Sequence, residues 1–353
     1  MSAATASTAS PGPLPPAPAW LPGGQLQTIW PALFSRRHAP GRPPVWARER
    51  WTTPDGDFID VDRLQPRQNP VPGPQAPLLV IFHGLEGSSS SHYAQAFAER
   101  AEQLGWACAL PHFRGCSGSL NLAPRAYHSG DFEEVGWMLA RLTQGREGPV
   151  HAVGVSLGGN ALLRWAQESG EQAARQLRSI AAICAPLDLA AAGDAIGRGL
   201  NRRIYTPMFL RTMKPKALAK LAQHPGLFDA ARLRAARDLR EFDDVFTGPL
   251  HGFAGVDDYW RRASSRHRLA EIRVPALVIN PLNDPFVPAG SLPAPHEAGR
   301  AVELWQPAHG GHVGFASGAW PGEVRTLPQR VCDWLQGRDM GLRADLRQDP
   351  RHG

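Results

Sequence analysis

The sequence has few cysteines and no long apolar segment. Its four cysteines form no C-x-x-C pair, which is typical of reduced thiols rather than a disulfide framework. The first twenty residues lack the basic region and apolar core of a signal peptide. No apolar run reaches the about 18 residues of an ordinary membrane span. We therefore expect a soluble, cytoplasmic protein whose free thiols are Cys108, Cys116, Cys184 and Cys332.

Signals for nucleic acid, metals and nucleotides are also missing. The net charge is only +6, and Lys and Arg never form a block of about five residues, so no nucleic-acid partner is predicted. The 13 histidines include no H-E-x-x-H motif, and no G-x-G-x-x-G or G-K-[ST] motif occurs. We expect neither a metal nor a cofactor.

Glycine and proline are plentiful, with 36 and 34 residues, so the chain must contain many turns. Hydrophobic residues make up 42% of the 353 residues, which is enough for a sizeable core. Residues 1–20 are small and proline-rich and predict a disordered tail. The folded domain is expected over 21–337, followed by a C-terminal tail over 338–353.

From Leu78 onward, short apolar runs alternate with amphipathic stretches. Such runs are typical of parallel strands buried on both faces, and the alternation predicts an α/β fold with a doubly wound, mostly parallel sheet. A turn sequence at 54–57 separates two further strands and predicts an antiparallel edge. The helix-rich stretch 187–267 interrupts the alternation and is predicted to be an inserted helical cap. The predicted strands are 45–52, 58–64, 78–82, 106–110, 150–155, 180–184, 276–280 and 301–305.

The motif Gly154-Val155-Ser156-Leu157-Gly158 lies between a predicted buried strand and a helix. A G-x-S-x-G sequence in this context predicts a tight turn that exposes the serine hydroxyl above the helix N-terminus. The glycines allow the helix and strand to approach closely. Ser156 is therefore the candidate nucleophile.

A serine nucleophile needs a base and an acid on loops at the same edge of the sheet. The strand 276–280 leads to Asp284, and the strand 301–305 leads to Gly310-Gly311-His312. We predict that His312 is the base and that Asp284 orients it. His309 remains an alternative base, and Asp188, Asp257 and Asp258 remain alternative acids.

An oxyanion hole needs two backbone N–H groups, one of them from the loop after an early strand. The strand 78–82 ends in His83-Gly84-Leu85, and the other donor would follow the nucleophile. We predict that the Leu85 and Leu157 N–H groups are the donors. The imidazole of His83 is expected to hold the loop.

The predicted cap contains a basic stretch, and seven Lys or Arg but no Asp or Glu lie between Ala195 and Lys220. Two interpretations are open: a weak peripheral contact with anionic lipid, or a solvated helix face paired with acidic residues at 241–244. The charged strings REFDD (240–244) and YHSGD (127–131) predict buried Arg–carboxylate pairs that anchor the cap to the core.

Several long strings resemble the YheT-like branch of the α/β-hydrolases, which also takes in eukaryotic medium-chain ester hydrolases and phospholipases. The resemblance runs from about Gly24 to Leu335. Its clearest departures are Gln25, where His is expected before LQT, and Ser119, where Glu is usual. The strings are HGLEGSSSSHYA (83–94), HFRGCSGSLN (112–121), YHSGD (127–131), GVSLGGNALLRW (154–165), REFDD (240–244), PLHGF (249–253), DYWRRASS (258–265), NDPF (283–286) and GGHVGF (310–315).

The resemblance implies an α/β-hydrolase fold and a serine esterase that cleaves short- to medium-chain or lipid-like carboxylic esters. It places nucleophile, acid and base on Ser156, Asp284 and His312, the residues found independently above. Two alternatives stay open. The protein could transfer the acyl group to an alcohol instead of water, or it could be a non-catalytic binding protein with a hydrolase fold.

Overall fold

The computed structural model describes residues 14–67 and 71–348, with side chains up to residue 339. Most of the predicted N-terminal tail therefore lies outside the described residues. Residues 14–20, which the prediction included in that tail, lie against the domain. There the Trp20 indole donates to the carbonyl oxygen of Gly318 at 3.2 Å.

Within the described residues, eight strands form one sheet in the order β1-β2-β4-β3-β5-β6-β7-β8. The strands from β4 to β8 in this order are parallel to one another, while β1 and β2 form an antiparallel edge. This confirms the mostly parallel sheet with an antiparallel edge. The strands are β1 Trp46–Thr52, β2 Phe58–Leu64, β3 Leu78–Phe82, β4 Ala107–Pro111, β5 Val150–Val155, β6 Ser179–Ile183, β7 Ala276–Ile279 and β8 Val302–Trp305.

Helices cover both faces of the sheet, as the doubly wound fold requires. Val135, Met138 and Leu162, from two helices on one face, pack in one apolar cluster, and Phe97 and Val331 pack in the cluster on the other face. The central strands β3 and β5 are buried along their whole length because both of their faces are covered, and His151 is their one polar residue. The helices outside the cap are α1 Gly23–Leu33, α2 His92–Gln103, α3 Phe132–Thr143, α4 Leu157–Ser169, α5 Glu171–Gln176 and α12 Thr326–Gln348.

The predicted cap is a helical insertion between β6 and β7. It has a small apolar core of its own, in which Leu210, Leu233, Phe242 and Phe246 pack together. At the other end of the chain, α12 continues past residue 337, where the folded domain was expected to stop. The cap helices are α6 Leu189–Ile196, α7 Gly199–Gln223, α8 Ala230–Ala235, α9 Leu239–Val245, α10 Thr247–Leu250 and α11 Val256–Ala263.

A buried arginine joins the antiparallel edge to the core. The Arg114 guanidinium donates to Asp55 at 2.8 Å, to Asp57 at 2.9 Å and to Glu134 at 2.5 Å. These carboxylates come from the turn between β1 and β2 and from α3. Their negative charge raises the pKa of Arg114, so the group stays cationic despite its burial.

Replacing this arginine is expected to destabilise the fold strongly. Arg114→Met leaves the Asp57 and Glu134 carboxylates buried without a cation, so we expect a loss of about 3–5 kcal/mol in the free energy of unfolding. Arg63→Met is the matched control, because the Arg63–Glu49 pair is 37% and 43% exposed, and it should cost less than about 1 kcal/mol. Urea unfolding measures both. Equal losses in the free energy of unfolding would show that the buried Arg114 cluster stabilises the fold no more than an exposed ion pair does.

Candidate active site

Ser156 occupies a strained turn between β5 and α4. Its φ and ψ are 52° and −120°, a conformation that L-residues rarely adopt. The turn is possible because α4 packs directly on the sheet: a Cβ atom at Gly158 would lie 2.5 Å from the carbonyl oxygens of Phe82 and His83. The side chain of Ser156 faces a cavity at the C-terminal edge of the sheet.

The loops after β7 and β8 bring Asp284 and His312 to this serine. The His312 Nε2 atom lies 2.9 Å from Ser156 Oγ, and His312 Nδ1 lies 2.9 Å from Asp284 Oδ2. The other carboxylate oxygen of Asp284 accepts the Phe286 N–H at 2.7 Å. Both oxygens thus have fixed partners, which orients the carboxylate toward the imidazole.

The alternative acids and base lie in other contacts. His309 faces Asn283, with 3.5 Å between Nδ1 and Nδ2, and does not contact Ser156. Asp188 caps α6 by accepting the Ala191 N–H. Asp257 and Asp258 form ion pairs with arginines of the cap. The geometry therefore favours His312 and Asp284 over these four.

The two predicted oxyanion donors, Leu85 and Leu157, line the same cavity as Ser156. Next to Leu85, Glu86 has a φ of 57°, and the hydroxyl of Tyr127 accepts its N–H and donates to its carboxylate, both at 2.9 Å. His83 holds the start of the loop, because its Nε2 accepts the Phe113 N–H at 3.0 Å and its Nδ1 donates to the Gly84 carbonyl at 2.7 Å. Burial lowers the pKa of His83 to about 3, so this imidazole is neutral.

Helix α1 supports the loops that carry Asp284 and His312, a role that the sequence did not predict. Thr28 Oγ1 accepts the His312 N–H at 2.8 Å, and Gln27 Oε1 accepts the Gly310 N–H at 3.1 Å and an Asn283 amide N–H at 2.8 Å. The available signal was the polar LQT sequence within an otherwise apolar segment. Gln25, the departure from the family pattern, does not line the cavity; it bridges to Tyr205 and Asn201 of α7.

A family model described as the alpha/beta hydrolase fold matches residues 77–319 of this chain. The chain belongs to the α/β-hydrolase family. It is 39% identical over 313 residues to YheT of Escherichia coli (strain K12), which carries the name of an esterase; the match covers 88% of this chain and 89% of YheT. Phospholipase ABHD3 of Mus musculus is 30% identical over 306 residues, covering 84% of this chain and 72% of that protein.

Solved structures show the same architecture. The α/β-hydrolase chain is similar to Est1E from Butyrivibrio proteoclasticus, with a TM-score of 0.52 and 14% identity, over 83% of this chain and 99% of that one. The chain is also similar to acetyl xylan esterase 1 from Thermoanaerobacterium sp. JW/SL YS485, with a TM-score of 0.51 and 13% identity, over 84% of each chain. At these identities the likeness shows the fold alone.

In this α/β-hydrolase, the cap covers a cavity of about 1160 Å³, a volume that includes the space open to solvent at its mouth. Its walls are mainly apolar side chains of the cap and of the loop after Asp284. The apolar lining includes Leu189, Ile196, Phe209, Met213, Leu239, Phe242, Phe246, Trp260, Phe286 and Val287.

Lysines of α7 connect the cap to the core. Lys216 pairs with Glu86 at 2.8 Å, and the buried Lys220 ammonium donates to the Asn121 carbonyl and to Gln223. Burial lowers the pKa of Lys220 to about 8. The expected pairing of the basic stretch with residues 241–244 is wrong for these two lysines, whose partners lie elsewhere.

The predicted arginine anchors at REFDD and YHSGD are also different from those expected. Arg240 pairs with Asp257 inside the cap, and Arg125 pairs with Asp131 inside the core, so neither joins the cap to the core. Asp243 forms no ion pair with any described side chain. It accepts only from Thr247 Oγ1 at 2.6 Å and Trp260 Nε1 at 2.9 Å, and it lines the cavity.

One group of three possible metal ligands occurs among the described residues, and it includes the acid and base. Cys184, Asp284 and His312 present ligand atoms within 4.8 Å of one another. The Cys184 sulfur already accepts the Val313 N–H at 3.2 Å, and both imidazole nitrogens of His312 are engaged. These atoms are thus used to orient the site.

None of the described helices has the length and apolar character needed to cross a bilayer.

The buried carboxylate of Asp243 is expected to make stability depend on pH. Burial raises its pKa from 3.8 to about 6, so the folded chain binds this proton more tightly than the unfolded chain does. As pH rises from about 4 to about 7, ionisation therefore destabilises the wild type relative to Asp243→Asn, by about 2–3 kcal/mol.

Urea unfolding of both proteins across this range measures the difference. Asp244→Asn is the control, because this neighbouring carboxylate is 42% exposed and pairs with Arg232 on the surface. Its difference from the wild type should change by less than about 1 kcal/mol. A wild-type advantage over Asp243→Asn that grew with pH would contradict the prediction.

Proposed function

We propose that this α/β-hydrolase is a serine esterase that cleaves carboxylic esters through an acyl-enzyme. The observation that carries the proposal is the hydrogen-bonded series from Ser156 Oγ through His312 to Asp284, with 2.9 Å at both contacts. It opens into a cavity with apolar walls, as an ester with a hydrocarbon chain requires. The similarity to proteins named as esterase and phospholipase supports the same class.

In the acylation step, Ser156 Oγ attacks the ester carbonyl carbon while its proton moves to His312 Nε2. Asp284 keeps the proton of His312 on Nδ1 and stabilises the imidazolium that forms. The Leu85 and Leu157 N–H groups donate to the developing oxyanion, and each is worth about 3–4 kcal/mol. The carbon–oxygen bond to the alcohol then breaks, and His312 returns the proton to the leaving oxygen.

In the second step, His312 takes a proton from water, and the resulting hydroxide attacks the acyl carbon. The Ser156–acyl bond breaks, Ser156 regains its proton from His312, and the acid leaves. The strained backbone of Ser156 places Oγ within reach of the base before any substrate binds.

The proposed substrates are short- to medium-chain or lipid-like esters. The cavity offers a long apolar wall on the cap for an acyl chain, formed by residues such as Phe209, Met213 and Phe246. All four cysteines are free and buried, which suits a reducing compartment, and we propose the cytoplasm.

Removing the nucleophile or the base should abolish turnover. We expect Ser156→Ala and His312→Ala to lower kcat for p-nitrophenyl esters by about a thousandfold or more, and the double variant by little more, because the residues act as one unit. A series from acetate to palmitate gives the acyl length at which turnover peaks. Fluorophosphonate should label the wild type but not Ser156→Ala.

His309→Ala is the matched control. This histidine lies in the same loop, two residues before Gly311, but it does not contact Ser156. It should keep turnover within a few-fold of the wild type. Additive losses in the double variant would contradict a triad. Folded wild type with neither labelling nor turnover would favour the non-catalytic alternative.

We also propose a weak peripheral contact between α7 and anionic lipid. Leu200 and Met208 are 56% and 46% exposed there, close in sequence to Arg202 and Arg203, which pair with no carboxylate among the described residues. Wild type should float with phosphatidylglycerol vesicles more than with phosphatidylcholine vesicles, and Arg202→Gln/Arg203→Gln should lose that difference. Equal flotation of wild type with both vesicles would exclude the contact.

A further inference from the structure

The cap wall of the cavity carries a carboxylate with unused acceptor positions. Asp243 accepts one hydrogen bond on each oxygen, from Thr247 and Trp260, whereas a carboxylate can accept about four. The residue belongs to α9 of the cap, keeps partial exposure and lines the cavity. Its free acceptor positions therefore face the space where a substrate would lie.

A second polar group lines the cavity from the core side and offers a donor. His128 lines the cavity, and its Nδ1 accepts the Gly130 N–H at 3.2 Å, which leaves the proton on Nε2. Burial lowers the pKa of His128 to about 4, so the imidazole is neutral. No described group accepts a hydrogen bond from Nε2.

A series of contacts through His251 and Thr247 links these two groups. The His128 ring centroid lies 4.6 Å from that of His251, and His251 Nδ1 lies 2.8 Å from the carbonyl oxygen of Thr247. Thr247 is the residue whose hydroxyl donates to Asp243 at 2.6 Å. The ring centroid of Tyr259, which also lines the cavity, lies 5.7 Å from that of His128.

We propose that Asp243 and His128 form a subsite for a hydroxyl group of the ester substrate, separate from the reacting carbonyl. The hydroxyl would donate to the Asp243 carboxylate and accept from His128 Nε2. A hydroxyl satisfies both groups because it donates and accepts at one atom. A hydrocarbon would leave the unused acceptor positions of Asp243 and the Nε2 donor of His128 without partners, and an ammonium group has no lone pair for His128. The subsite rests on the proposed esterase activity and narrows its substrates to hydroxylated esters.

The test compares esters that differ by hydroxyl groups alone, on either side of the ester bond. On the alcohol side the pair is glycerol monobutyrate and propyl butyrate, and on the acyl side it is methyl 8-hydroxyoctanoate and methyl octanoate. We expect the wild type to favour the hydroxylated member of at least one pair by about tenfold in kcat/KM. The side that shows the preference tells which part of the substrate carries the hydroxyl.

Two variants assign the preference to the subsite. Asp243→Asn removes the charge at nearly constant shape, and His128→Phe keeps the ring contacts with His251 and Tyr259 while removing the donor. Each should bring the ratio of the two kcat/KM values toward one. Asp244→Asn, whose carboxylate lies on the surface beside Arg232, should leave the ratio at the wild-type value. Melting temperatures show that each variant is folded.

The same pairs also compete with fluorophosphonate labelling of Ser156, so the comparison does not depend on fast turnover. Labelling or turnover without any preference in the wild type would overturn the subsite and leave the esterase proposal intact. Equal losses for both members in Asp243→Asn would make Asp243 structural and also overturn it. Folded wild type without labelling or turnover would instead overturn the esterase proposal.

A cationic ligand is tested separately with butyrylcholine and its neutral isostere 3,3-dimethylbutyl butyrate. We expect no Asp243-dependent preference between these two esters. A preference for the choline ester that is lost in Asp243→Asn, without any preference for hydroxylated esters, would overturn the hydroxyl subsite and show a cation site.

Discussion

The arrangement of the site depends on the close contact between α4 and the edge of the sheet. Because Gly158 has no side chain, the helix reaches the carbonyl oxygens of Phe82 and His83, and the chain can reverse at Ser156 within one residue. Packing of the helix on the sheet keeps the strained turn in place, and a single Cβ atom at Gly158 would prevent that packing. Every other part of the site is positioned relative to this serine.

The site is assembled from segments that are far apart in the chain. The loops of Asp284 and His312 follow β7 and β8, and they are held by Thr28 and Gln27 of α1, more than 250 residues earlier. Such support fixes the imidazole without occupying the space in front of Ser156. The parallel part of the sheet makes this possible, since the strands from β4 to β8 in the sheet order end at one edge.

The cap gives the cavity its chemical character. Two of its anchors to the core are Lys216, which pairs with Glu86, and Lys220, which donates to the Asn121 carbonyl and to the Gln223 side chain. The Lys216–Glu86 pair adjoins the loop of Leu85, so the cap and the proposed oxyanion hole share a contact. Asp243, in contrast, has no cation beside it among the described side chains, and its carboxylate is left to the cavity.

Local patterns were enough to predict the strands and the tight turn at Ser156. Apolar runs such as 78–82 and 150–155 must be buried on both faces, and G-x-S-x-G after such a run leaves few conformations open. The same logic located Asp284 and His312, since loops after parallel strands meet at one edge. Charge pairing was predicted poorly: REFDD suggested anchors to the core, and its arginine instead pairs within the cap.

The sequence by itself determined the fold class, the position of the insertion and the three residues at the sheet edge, because these follow from short-range periodicity and from the order of strands. Only the tertiary structure decided which charges meet, that Thr28 holds His312, and that Asp243 and His128 line the cavity. An ion pair depends on how helices of the cap are rotated against one another and against the core. That rotation is set by the packing of many side chains, which no local pattern records.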